Sequence, residues 1–334
     1  MTARIPRSLA LAGLAGILLA TLLACPLFGP KGSTLRLEKV FDRTIPYDQN
    51  IDAVIFMTTR LPRVLFGALV GFGLAIAGAV FQALLRNDLA TPYTLGLSGG
   101  ASLGALLAMH LGQTVLHPSI LVPLGSFLGA IGVVTFVGIL ARRRSAGFST
   151  ATLLLAGVTL NLFFGAFILL LQYLADPYQT VKMIRWMMGG VDEARIQVPL
   201  FLAAPVLACG AGLTALGRTL DLLSLGEDAA HHLGVDVARV RWTALILSGL
   251  MTSLLVAYSG PIGFVGLIVP HTLRLLIGPG HRFLLPASGL VGAAFLVWCD
   301  TGARTLFEGV EIPVGVVTAF LGGPFFLMIL LRKK

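Results

Sequence analysis

Charge is scarce in this sequence. Only 12% of its 334 residues are Asp, Glu, Lys or Arg, and fifteen of those are acids. A soluble domain of that length needs far more charge to cover its surface. The acids also fall in polar segments or near the ends of apolar runs, so none stands in mid-run, where a proton- or sodium-coupled carrier holds one. Asp300 lies deepest, and Arg304 could pair with it or with Glu308; Asp300 and Arg304 stand at the i, i+4 spacing that favours a helix ion pair. Cysteine is nearly absent. Cys25, Cys209 and Cys299 all sit in apolar runs without metal-like spacing and read as buried small hydrophobes outside any disulfide. There is no G-x-x-x-x-G-K-[ST], and GPKGST at Gly29 to Thr34 has the wrong spacing, so a P-loop on this chain is excluded. H-E-x-x-H and C-x-x-C are missing too, and the adjacent His231 and His232 point apart on a helix and make a poor metal clamp. No catalytic residue, metal ligand or bound cofactor is assigned to this chain.

What is present is apolar. The chain is 56% hydrophobic with a mean hydropathy of +0.91, the composition of a polytopic membrane protein. The net charge of +9 fits basic loops of such a protein; basic and aromatic residues are not interleaved as a nucleic-acid surface requires. The apolar runs predict an all-α fold of about ten transmembrane helices in one polytopic domain, 1–334. They are Leu9–Phe28, Val64–Leu85, a glycine-rich run ending near Met109, Ile120–Leu140, Thr152–Leu174, Val198–Leu216, Trp242–Tyr258, a short Gly263–Ile277, Phe283–Cys299 and Pro313–Leu331. The first reads as an uncleaved helix, although Leu22 to Cys25 resembles a lipoprotein cleavage site. Val181 to Met188 reads as a short helix at the membrane surface. Ten spans put both termini on one side. Placed in the cytoplasm, that side carries 14 of the 24 basic residues, among them Arg4, Arg7, Arg142 to Arg144, Lys333 and Lys334.

The stretch Arg60 to Met109 organises the chain. Its first run carries Gly67, Gly71, Gly73 and Gly78, which thin one side for close helix approach. Its second opens with Gly96, Gly99, Gly100 and Gly104, a density that suits a tightly packed or broken helix beside a cavity. RLPR followed by Q-x-L-x-x-N-x-L-A-x-P-x-x-L-G-x-x-x-G-A resembles the membrane permeases of iron-chelate and cobalamin ABC importers, the FecCD-type family. LLLAG at Leu153, WMMGG at Trp186, GPIGFVGLIVPHTLR at Gly260 and PVGVVTAFLGGPFF at Pro313 continue the likeness to the C-terminus. One position departs: Asp88 stands where the family usually has proline.

The resemblance implies a homodimeric permease in the cytoplasmic (inner) membrane, with two P-loop ATPase subunits inside and a substrate-binding protein outside. ATP and Mg would sit on the partner subunit. The solute would be a large chelate: ferric siderophore, haem or cobalamin. L-G-x-x-x-A-x-x-L-G places Gly226, Glu227, Ala230, Leu233 and Gly234 on the family's ATPase-coupling loop, about 218–241; from the residues alone this is an amphipathic loop. Asn87, Leu89, Thr150 and Ala151 match the family's cytoplasmic gate, although Ser149 or Thr150 would also cap a helix. Arg60, Arg63 and Arg304 match its outer arginines, which would dock the binding protein; from the residues alone they anchor span ends or pair within the chain. Small polar residues within the spans (Gln82, Ser98, Ser102, Thr159, Asn161, Gln172, Ser248, Thr252, Ser253) read mainly as helix-to-helix hydrogen bonds. The alternative from another class is an ion-coupled secondary transporter or exporter working without an ATPase, which would depend on Asp300.

Overall fold

The structure, a computed structural model, describes residues 7–29, 35, 37–42, 44–111, 117–143, 150–192, 195–306 and 310–332. Arg4, Arg144, Ser149, Glu308, Lys333 and Lys334 lie outside them, as do the side chains of Arg7, Arg142, Arg143 and Thr150.

Among the described residues every regular element is a helix: α1 (Arg7–Ala24), α2 (Leu37–Val40), α3 (Ile51–Ile55), α4 (Leu61–Leu84), α5 (Leu97–Leu111), α6 (Pro118–Arg143), α7 (Thr150–Leu174), α8 (Pro177–Met187), α9 (Gln197–Ala215), α10 (Gly217–Ser224), α11 (Glu227–His232), α12 (Val237–Ser259), α13 (Val265–Ile277), α14 (His281–Thr305) and α15 (Val314–Arg332). Seven helical segments are long and apolar enough to cross a bilayer, and three shorter apolar helices, α5, α13 and most of α15, join them. Together they make the ten spans of an all-α, multi-pass membrane protein.

The second span starts earlier than Val64. Asn50 caps α3 by accepting a hydrogen bond from the Ala53 amide at 3.1 Å. The helix then runs through a π turn, Phe56–Arg60, directly into α4. Pro62, at the start of α4, offers no N–H to the preceding turn, and the ladder widens just before it. Arg60 and Arg63 therefore stand inside a continuous helix rather than at its entrance.

α4 is the axis of the bundle, and its glycines explain how. A Cβ on Gly71 would run into the Gly292 carbonyl of α14, and one on Gly78 into the Gly266 carbonyl of α13. A Cβ on Gly73 would meet Leu255 of α12. The glycines thus serve three neighbours rather than thinning one side. At Gly71 and Gly78 the backbones touch, and at Gly73 a leucine side chain fills the gap; such close packing holds helices together in lipid, where burial of apolar surface gains little. α5 and α6 repeat the device with Gly100 against Gly129 and Gly104 against Gly125.

The glycine-rich second run is tightly packed, one of the two states its composition allows: α5 is continuous through Gly99, Gly100 and Gly104, and the break falls just before it. Pro92–Leu95 forms a 3-10 turn with a capping box from Thr91 and Thr94, and Gly96 at φ 89 restarts the chain as α5. The carbonyl of Tyr93 accepts from Asn161 Nδ2 of α7 at 3.1 Å, and its hydroxyl accepts from the Ile262 amide at 3.2 Å. Protein partners therefore satisfy polar groups of the break, the condition for irregular backbone at membrane depth. α13 has 13 residues, about 20 Å of helix, and is the short span expected.

Candidate coupling and gating site

The 216–236 segment lies between two spans and folds as two short helices. α10 is tied to the start of α14: Asp221 accepts from the His281 amide, and its carboxylate lies 2.7 Å from His281 Nδ1. α11 begins after Gly226, whose φ of 125 suits glycine alone, and ends before Gly234 at φ 81. Ala230 is fully buried and packs the helix down. Glu227 stands in the first turn of α11 and accepts from Arg241 of α12 at 2.6 Å. That hydrogen bond, helped by the positive charges of Arg241 and Arg86 and opposed by partial burial, holds the Glu227 carboxyl below its ordinary range. Leu225 and Leu233 are 68% and 59% exposed. Two large apolar side chains are thus displayed at the two ends of α11, on a segment outside the spans. The five expected residues therefore divide: Glu227 and Ala230 build the segment, the glycines shape its ends, and Leu233 is displayed.

The loop 85–91 lies beside this segment. α4 closes with the Asn87 amide bonded to the Gln82 carbonyl and the Arg86 amide to Ala83, the Schellman pattern in which glycine usually takes the left-handed position. Here Arg86 takes it, at φ 45, a conformation that costs an L residue about 1–2 kcal/mol. Asn87 accepts from the Leu89 amide at 3.0 Å and tightens the turn. Leu89 is 39% exposed. Thr150 opens α7 and Ala151 is exposed. Asp88 has a partner that sequence reading did not find. Arg274 of α13 reaches it at 2.8 Å and Gln82 Oε1 at 2.9 Å, and Gln82 in turn donates to the Gly266 carbonyl at 3.3 Å. An ion pair now fixes the turn where a proline ring would.

At the opposite end of the bundle the three arginines differ from expectation. Arg60, Arg63 and Arg304 are buried, at 4%, 6% and 3% exposure. Arg60 donates to the Leu27 carbonyl at 2.9 Å, and Arg304 to the Cys25 carbonyl at 2.8 Å. Arg63 grips Asp300 from Nε and Nη2 at 2.9 to 3.1 Å and Glu311 at 2.7 Å. Docking a soluble partner needs guanidiniums that solvent can reach, and these are spent within the chain. The physical reason is Asp300: a carboxylate only 2% exposed must be compensated, and Arg63 does this across 237 positions of sequence. Arg304, the partner favoured by spacing, lies 3.6 Å away.

Beside this cluster, Met187, Met188, Pro261, Gly263, Val316 and Phe320 line an open apolar recess of about 500 Å³. Of the nine small polar residues of the spans, three bond within their own helices, Thr159 to Leu155, Ser248 to Ala244 and Ser253 to Gly249, and Thr252 Oγ1 is buried without a hydrogen-bond partner. Asn161 and Gln82 reach a neighbouring element's backbone, and Gln172 donates weakly to Met187. The three cysteines are free and buried.

Known proteins resemble this chain along most of its length. The hemin transport system permease protein HmuU of Yersinia pestis is 40% identical over 84% of each chain. The molybdate import system permease protein MolB of Haemophilus influenzae is 37% identical over 84% of this chain and 82% of its own. An ABC transporter permease protein of Bacillus subtilis, YvrB, uncharacterized, is 42% identical over 88% of this chain and 83% of its own. A solved structure described as an inward-facing metal-chelate type ABC transporter superposes with a TM-score of 0.83 at 34% identity, covering 98% of this chain and all of that one. The FecCD transport family profile matches residues 16–332. With the ten spans, the broken third helix and the displayed 216–236 segment in place, the chain belongs to the FecCD transport family.

Proposed function

We propose that this chain is the permease subunit of an ATP-binding-cassette importer that moves a large metal chelate inward across the cytoplasmic membrane. It works as a homodimer, with two P-loop ATPase subunits on the cytoplasmic face, where both termini lie, and a binding protein on the other. The chain is not itself catalytic; ATP and Mg are held by the partner subunit.

The observation that carries the reading is the 216–236 segment. It is braced to α12 and α14 by Glu227–Arg241 and Asp221–His281, yet presents Leu225 and Leu233 outward. A segment stiff underneath and apolar on top suits a contact that transmits force. The recess at the other end is apolar, and among the described residues no charged side chain lines it, a surface compatible with an organic-shelled solute. Loop 85–91 and the start of α7 are the gate. The binding protein meets the outer end through the surface around the buried arginine cluster, not through the three guanidiniums.

The test is assembly with the P-loop ATPase of the same source. Leu233→Glu should leave the permease folded and abolish stable assembly. Retention of full ATPase binding in that variant would remove this face from the contact. Leu233 is a cleaner position than Gly234, where any side chain meets a backbone of φ 81.

A further inference from the structure

We propose that Arg86 is a positioning residue that ties the 85–91 loop to the coupling segment, so that the gate cannot shift independently of the ATPase contact. This deepens the permease reading and rests on it.

The sequence closes α4 at a position where glycine would be cheapest, and the protein places an arginine there. What the side chain adds is one long-range bond: Arg86 Nη2 donates to the Leu223 carbonyl at 3.2 Å. Leu223 is buried in the last turn of α10, three residues before Gly226 opens α11. The positive charge also faces Glu227, whose carboxyl it helps to keep ionised. On its far side the loop is fixed by Asp88 to Arg274 of α13, and Arg274 is held by Gln82 on α4.

The loop is therefore held at two points of different kind. The Asp88–Arg274–Gln82 chain, with Gln82 bonded to the Gly266 carbonyl, joins it to α4 and α13, two helices whose backbones touch at Gly78 and Gly266. That attachment runs to two closely packed helices. The Arg86–Leu223 bond is a single contact to a short helix of eight residues, whose displayed neighbours face the ATPase in the proposed assembly. A displacement of α10 is passed to the loop through this bond, while the Asp88 pair acts as the pivot. The left-handed strain at Arg86 is the local cost of placing a guanidinium at that point.

Two measurements test this. In proteoliposomes holding the assembled importer, Arg86→Gly should leave the melting temperature unchanged or raised, because glycine relieves the left-handed backbone. ATP hydrolysis should persist, and import per ATP should fall about tenfold, the change that one hydrogen bond to a charged group corresponds to. Arg86→Lys, which keeps a cation, should recover part of the loss. Import per ATP equal to wild type in the glycine variant overturns the proposal. A lowered melting temperature does so too, since Arg86 would then be a structural brace. The second measurement needs no ATPase: spin labels at Leu89 and Leu225 on the permease in nanodiscs. One narrow distance distribution is expected in wild type and a broad one in Arg86→Gly; identical distributions would overturn the tie. Failure of the wild-type complex to import with ATP would count against the permease reading and leave the label result to judge the tie.

Discussion

The second span and α7 are nearly equal in apolar character, yet in their most apolar stretches 83% of the former is buried and only 17% of the latter. Apolar content marks a segment for the membrane; it does not say what covers it. In water the two would sort by hydrophobicity, but in lipid both faces are equally welcome and packing decides. α4 carries Gly71, Gly73 and Gly78 at contacts where a Cβ has no room, whereas α7 has one such contact, Gly157 against the Thr94 carbonyl, and open space around Gly165. α7 presents Leu155, Leu162, Phe163, Leu169 and Tyr173 outward, the surface of a helix that meets lipid or another chain.

The sharpest way to break this comparison is to add bulk to both helices. Gly78→Leu should abolish the folded protein, because the obstacle is the Gly266 backbone and cannot rotate away; overpacking costs roughly 1–3 kcal/mol even where side chains can yield. Gly165→Leu should leave the yield of monodisperse protein in detergent unchanged. Equal losses would mean that α4 is no more constrained than α7.

The next effect concerns charge, which the second span carries and α7 lacks. Arg63→Ala leaves the buried Asp300 short of its main partner, and stripping one member of a buried pair costs roughly 3–5 kcal/mol. The melting temperature should drop steeply, and the double variant Arg63→Met with Asp300→Leu should recover most of it. A single variant as stable as wild type would show that Asp300 is compensated by Arg304 alone.

How much of this was legible in the sequence follows from the range of each interaction. The ten spans and the short α13 rest on runs and proline, local signals; glycine density marked the third span as tightly packed or broken without saying where. Gly226 and Gly234, which end α11 on either side, are local marks of the same kind. Long-range partners carried no such mark. Arg304 stands at ion-pair spacing from Asp300, but Arg63, 237 positions away, takes the hydrogen bonds. Likewise Asp88 read as the loss of a proline turn, because Arg274 is 186 residues distant. The outer arginines looked exposed because span-end arginines usually reach water; their burial follows from a carboxylate that only the fold brings to them.

A smaller effect separates the two ends of the bundle. The Glu227 carboxyl is held below its ordinary range, so its contribution to α11 is fully present above about pH 4.3, the usual value. It is lost only as pH falls through the lowered folded value. Hydrogen exchange of the amides 229–235, corrected for intrinsic rate, should show constant protection from pH 8 to about 5 and lose it in stronger acid. In Glu227→Gln the pH dependence should vanish; protection that titrates as in wild type would assign the effect to another group.

Reconstitution tests the central claim most directly, that energy reaches this chain from outside. The permease alone in proteoliposomes, given a pH gradient and a candidate chelate such as haem or cobalamin, should accumulate nothing. With its ATPase, binding protein and ATP it should import the chelate. Accumulation by the chain alone, driven by the gradient and abolished by Asp300→Asn, would contradict the account.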